Sequence, residues 1–173
     1  MTRPNSVEQV RKSRIDYQAY LARERARFPS EAFAFAASDW HYDHEDHRGL
    51  HDSWLKALTI SEEPVEGISQ RATRMTIVLL GPFHDGETTI DYDGVSGYRI
   101  TSWKKSDVAA TVTKGHGDWL VDEVLVTEPG TLTHEIHFST GTKLEIECRN
   151  IRHRTTAPAT SFNPPLPSRN DIQ

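Results

Sequence analysis

The sequence predicts an α+β fold: one or two N-terminal helices packed on an antiparallel β-sheet, sandwich or partly open barrel of about six or seven strands. Two observations carry this. Val7, Val10, Tyr17, Tyr20 and Leu21 recur at steps of three, four and seven, the stripe of an amphipathic helix. From Trp54 onward the period changes to two, and strands that follow one another without intervening helices pair antiparallel. Residues 1–155 are expected to form one domain, helical over 1–38 and β-rich over 54–152. Residues 156–173 are expected to form an extended or disordered tail, because Pro158, Pro164, Pro165 and Pro167 cannot donate to a sheet.

The elements follow in order. Asn5 with Glu8 three residues on resembles a capping box opening the first helix. Arg11, Lys12, Arg14, Arg23, Arg25 and Arg27 lie between the apolar positions and form its solvated side. Phe28-Pro29-Ser30 ends it, and Ser30 is placed to cap a second, short helix over Glu31–Ala37. Trp54, Lys56, Leu58 and Ile60 alternate with Leu55, Ala57 and Thr59 as the first strand; Ser61–Gln70, with Pro64 and Gly67, is a loop. Thr73–Leu80 is nearly continuously apolar, as a central strand must be, and Glu87–Asp93 is its return strand after a Gly81–Gly86 turn. Tyr98–Trp103 resumes the sheet, and Ser106 with Asp107 would cap one helical turn within Lys104–Ala110. Trp119–Thr127 is a strand. Leu132, His134, Ile136 and Phe138 then form the apolar face of a hairpin with Leu144, Ile146 and Cys148 across Thr140-Gly141-Thr142.

Composition bounds the function. No apolar run approaches the roughly 20 residues of a membrane span. The N-terminal residues lack the apolar core of a signal peptide, so the expected location is cytoplasmic. A single cysteine, Cys148, excludes an intramolecular disulfide and any zinc site built on several cysteines, and its place on an apolar strand face makes it an inert thiol. The net charge is -5 but unevenly spread: residues 1–28 carry seven Lys/Arg and three Asp/Glu, whereas residues 29–100 carry five and thirteen. An acidic middle opposes nucleic-acid binding, which depends on cationic contacts to phosphate. It suits a basic protein partner or a cation.

Unusual chemistry concentrates in Asp39–Trp54, which holds four of the nine histidines, five carboxylates and two of the four tryptophans. His41, His44, His47 and His51 have the spacing His-x2-His-x2-His-x3-His; on an ideal helix they would share about a third of the circumference. With Asp43 and Asp46 they are candidate ligands for a divalent transition metal, which favours imidazole nitrogen. Three ligands and one open position would make a hydrolytic centre. His134 alternates with apolar residues and is expected to be a satisfied core histidine.

The stretch His51-Asp52-Ser53-Trp54-Leu55-Lys56-Ala57-Leu58-Thr59-Ile60, followed by the Met75–Leu80 strand and the Thr142–Cys148 hairpin, resembles small bacterial immunity-type proteins of polymorphic toxin systems. The resemblance covers residues 51–150. It implies a non-catalytic module that neutralises a basic toxin partner, with Asp52 accepting backbone donors at the strand start and His51 packed beside it. The expectation from sequence is therefore such a protein-binding module. The alternatives are a metal-dependent hydrolase using His41–Asp52 and a self-associating structural protein with an uncovered sheet edge.

Overall fold

The computed structural model describes residues 7–67, 69–102, 115–128 and 130–156, with side chains from Ser13 onward. Helix α1 (Val7–Glu24) runs into one 3-10 turn (Arg25–Arg27), and α2 (Ser30–Ala36) follows. A second 3-10 turn (Asp39–Tyr42) precedes the strands β1 (Trp54–Pro64), β2 (Arg71–Leu80), β3 (Glu87–Asp93), β4 (Gly97–Thr101), β5 (Trp119–Glu128), β6 (Thr131–Phe138), β7 (Lys143–Cys148) and β8 (Asn150–Thr156). The fold class predicted from sequence is the one observed, with eight strands among the described residues in place of six or seven. They form two four-stranded antiparallel sheets, ordered β1-β2-β3-β8 and β4-β7-β6-β5, that do not close into a barrel. No helix among the described residues is long and apolar enough to cross a membrane.

Several boundaries differ from expectation, each for a local reason. β1 continues through Ser61–Pro64, because Arg71 and Arg74 of β2 pair with Glu62 and Glu63 across the strand pair. Ser30 is the first residue of α2 and makes no cap; Pro29, with φ already near helical at -57°, holds the N-cap position. The Asn5 cap, the Lys104–Ala110 turn, Trp103 and the proline tail from Ala157 lie outside the described residues.

The core lies between the sheets. Met75, Ile77, Leu79, Ile90, Tyr92 and Ile151 of the first sheet face Trp119, Val124, Leu132, Ile136, Phe138, Leu144 and Ile146 of the second, all buried. Cys148 is fully buried here, and burial pushes its thiol up to about 12. The β6 side of the Ser139–Thr142 turn requires glycine at position 117. With φ at +75°, a Cβ there would stand 2.2 Å from Ser139 Oγ.

A two-sheet sandwich leaves two open sides, and the helices close one. α2 packs on β8, the end strand of the first sheet, and Asn150 Nδ2 donates to Glu31 Oε2 at 2.6 Å. α1 covers β5, the end strand of the second. Tyr17 Oη accepts from Val124 N (2.9 Å) and donates to Val124 O (3.1 Å), while Val126 N donates to Tyr20 Oη (2.7 Å). Two tyrosines one turn apart on the helix thus satisfy backbone groups that a further strand would otherwise pair. On the opposite side, Leu55 and Leu58 of β1 and Ile100 of β4 flank a groove of about 390 Å³. Their register turns them inward, opposite Leu79, Ile77 and Leu144, yet Ile100 remains 44% exposed.

Candidate functional site

The histidine stretch is a chain of tight turns rather than a helix. After the four-residue 3-10 turn, Asp46 N bonds Asp43 O and Gly49 N bonds Asp46 O. Two aspartates stabilise these turns from within: Asp43 Oδ1 accepts from Glu45 N, and Asp46 Oδ1 from Arg48 N, each at 2.9 Å. Short carboxylate side chains that capture the amide two residues on favour such turns over helix. Arg48 also holds the Asp46 carboxyl down at about 2 through its side-chain and backbone hydrogen bonds. Trp40 and Leu50, both buried, nail the loop to the core at its two ends.

Turn geometry sends the four histidines in three directions. His41 points inward. His44 and His51 meet edge to face, with ring centroids 4.9 Å apart, and His51 Nδ1 lies 3.1 Å from Asp52 Oδ2. His47 points away to Asp85, Nδ1 to Oδ2 at 2.6 Å, and stacks on Phe83 at 4.1 Å. The helical arrangement that would have gathered all four on one face is therefore not formed. Of the four, only His44 and His51 are brought together, and with Asp52 they are the grouping a transition metal would have to use. Among the described residues, no three His, Cys, Asp or Glu side chains are gathered as a metal-binding group.

The outward side of this region is an aromatic and acidic patch. Trp54 is 48% and Phe83 47% exposed. The Trp54 ring is oriented by Nε1 donating to Asp118 Oδ1 at 3.0 Å and by contact with the His84 ring at 4.2 Å. Phe83 is fixed by His47 and, through it, by Asp85. Asp52 and His84, which flank this patch, both have left-handed backbone, at φ 68° and 58°. Asp and His are among the non-glycine residues that enter this region most readily. The Asp52 side chain is 62% exposed and faces His51, while its backbone N donates to Trp119 O at 2.8 Å. Among the described residues no backbone N–H donates to the Asp52 carboxylate, whereas the immunity-type resemblance implies such donors at the strand start; its neighbour is His51 Nδ1.

Beneath the loop lies a polar cluster that the sequence did not reveal as one. The Asp122 side chain of β5 is only 9% exposed, and its Oδ1 accepts from Trp119 Nε1 at 2.9 Å. Its Oδ2 is 3.0 Å from His134 Nε2 and 3.6 Å from His41 Nε2. His134 Nδ1 is 2.8 Å from Tyr92 Oη, so a Tyr–His–Asp chain crosses from the first sheet to the second. Burial alone would raise the Asp122 carboxyl, but the neighbouring His41 and the hydrogen bonds from His134 and Trp119 outweigh it and hold it at about 2. Burial pushes the His41 imidazole below its ordinary value against the attraction of Asp122, and its Nε2 makes no hydrogen bond. Phe35 packs on His41, His134 and His153 at 4.8, 5.6 and 5.5 Å and seals the cluster from above. His134 is the satisfied core histidine expected from its strand position. Asp122, Tyr92 and His153 were missed. Asp122 sits in Val121-Asp122-Glu123, where an acidic residue reads as the solvated face, and the β-bulge between Trp119 and Val121 turns it inward.

No protein-family model matches this chain, and no curated protein matches it. The site therefore rests on its own geometry. The buried cluster is enclosed and suited to fixing the helical cover on the sheets. The exposed patch presents two oriented aromatic faces with carboxylates beside them, which is suited to contact with another molecule.

Proposed function

We propose that this protein is a protein-binding module that receives a basic surface of a partner at the Trp54–Phe83 patch. The observation that carries this reading is the pair of half-exposed aromatic rings, each held in place by an imidazole, with Asp52, Asp85 and Asp118 beside them. Tryptophan is among the residues enriched at binding hot spots. A guanidinium or ammonium group gains both from an aromatic face and from an adjacent carboxylate. The acidic balance of residues 29–100 would steer such a partner toward the patch. The resemblance of His51–Ile60 to immunity-type proteins gives the partner a concrete form, a basic toxin whose working surface is covered on binding.

The test is a titration with a fluorescent peptide of alternating arginine and leucine, followed by anisotropy at low and at moderate salt. Binding is expected, weakened by salt. Trp54→Ala or Phe83→Ala is expected to weaken it at least tenfold, in line with the roughly 2 kcal/mol or more that a hot-spot residue contributes, while the thermal midpoint stays within a few degrees. No binding at low salt, or equal binding by both variants, would overturn the proposal.

A further inference from the structure

We propose a second docking surface, opposite in charge and carried by α1: a groove that takes an extended acidic segment of a partner protein, with two carboxylates about five residues apart and an apolar side chain between them. Its floor is formed by Leu21, Phe33 and Ala37, in a groove of about 260 Å³ that Arg25 and Tyr42 also line. The Arg25 guanidinium lies over the Phe33 ring at 4.7 Å, and that of Arg14 over the Tyr42 ring at 4.5 Å. Both arginines are exposed.

Helical geometry places these two cations at the ends of one face. Arg14 lies in α1 and Arg25 opens the 3-10 turn that continues it, so their Cα atoms are about 16 Å apart along the axis, and the rings they cover, Tyr42 and Phe33, both line the groove. An extended chain covers that distance in about five residues. The aromatic rings fix where each guanidinium lies without neutralising it, because a ring face attracts the cation and leaves its N–H donors for a carboxylate. Among the described residues, neither Arg14 nor Arg25 is in an ion pair. Their neighbours differ: Arg23 and Arg27 are both taken by Glu24, at 2.8 and 2.7 Å. Among the described residues of this helical stretch, the arginines without an ion pair are thus the two beside the apolar groove. This charge complementarity selects an acidic occupant, and the apolar floor between the cations calls for an apolar side chain midway.

The experiment uses the full chain and two labelled six-residue probes of the same composition, Glu-Ser-Leu-Ser-Ser-Glu and Glu-Glu-Ser-Leu-Ser-Ser, compared by anisotropy at low salt. The first is expected to bind at least fivefold more tightly than the second. Arg14→Glu and Arg25→Glu are each expected to abolish that preference, whereas Arg27→Glu, whose guanidinium is already paired, changes it less than twofold. Equal affinity for both probes, no binding of either, or an equal loss in all three variants would overturn the proposal in favour of unspecific attraction to a basic helix. Sedimentation of the protein alone supplies the remaining arm. Salt-sensitive self-association that vanishes in the Arg14→Glu/Arg25→Glu double variant would make a second copy the occupant and would also overturn it.

Discussion

Asp122 is the residue on which the interior polar chemistry converges. It receives Trp119, His134 and the approach of His41, each from a different direction. Removing it strands two buried nitrogens, Trp119 Nε1 and His134 Nε2, and takes the nearby carboxylate from His41, so Asp122→Ala is expected to cost about 3–5 kcal/mol, the usual consequence of breaking one side of a buried charged network. Urea denaturation measures this; a loss below about 1 kcal/mol would show that the cluster contributes nothing. The pH dependence follows from the same groups. Burial depresses the His41 and His153 imidazoles, the latter helped by the Arg48 charge. The unfolded chain then binds more protons than the folded one, and stability is lost as pH falls below about 6.5. The carboxyl held low at Asp122 acts lower on the scale: its contribution is present above about 4 and disappears toward 2. Thermal melts between pH 7.5 and 5.5 should therefore show a falling midpoint, with a smaller fall in His41→Gln/His153→Gln. An unchanged slope in that double variant would place the acid sensitivity elsewhere.

Among the elements, α1 has the most specific task, because its tyrosines occupy backbone groups on the edge of β5. Tyr17→Phe would leave the Val124 N–H and C=O without their partner. The expected loss is about 1–3 kcal/mol, and Tyr17→Phe/Tyr20→Phe should also make the protein more prone to associate through β5. Urea midpoints and light scattering together check both parts; a double variant as stable and as dispersed as the parent would refute the edge-capping role. The helix itself was legible, because Tyr17, Tyr20 and Leu21 stand at helical spacing. Its partner was not, since nothing local in Tyr17 points to a strand more than a hundred residues away. Strand legibility divides along the same line. The β6–β7 hairpin is local, with period-two faces and a glycine turn, and was read correctly. β8 was not, since Asn150-Ile151-Arg152-His153-Arg154 has one aliphatic residue. It is a strand because Arg152 and Arg154 meet Asp93 and Asp91 of β3 on one face while Ile151 fills the core on the other. In the histidine run the ideal-helix arrangement is absent for the opposite reason. Its spacing fits a helix, but the Asp43 and Asp46 side chains bind their own backbone and turn the chain instead.

At the scale of the whole molecule, charge and shape are arranged in halves. The helical cover carries exposed arginines, and the loop at the start of β1 carries exposed carboxylates and aromatic rings. The overall charge conceals this, which is why composition could indicate an acidic middle but not where it is presented. The fold also has an asymmetry of closure. One side of the sandwich is sealed by α1, α2 and the Asp122 cluster, and the other is flanked by β1 and β4, whose inward-turned Leu55, Leu58 and Ile100 stay partly in contact with water.

The strand order has a consequence for how the chain is made. β3 is completed by β8, which lies beyond all four strands of the other sheet. During synthesis at roughly 5–20 residues per second, β3 would emerge and then wait several seconds before its neighbour leaves the ribosome. Through that interval its edge and the apolar Ile90 and Tyr92 have no sheet partner on that side. The first sheet is therefore the half of this molecule that a ribosome-bound chaperone would have reason to hold.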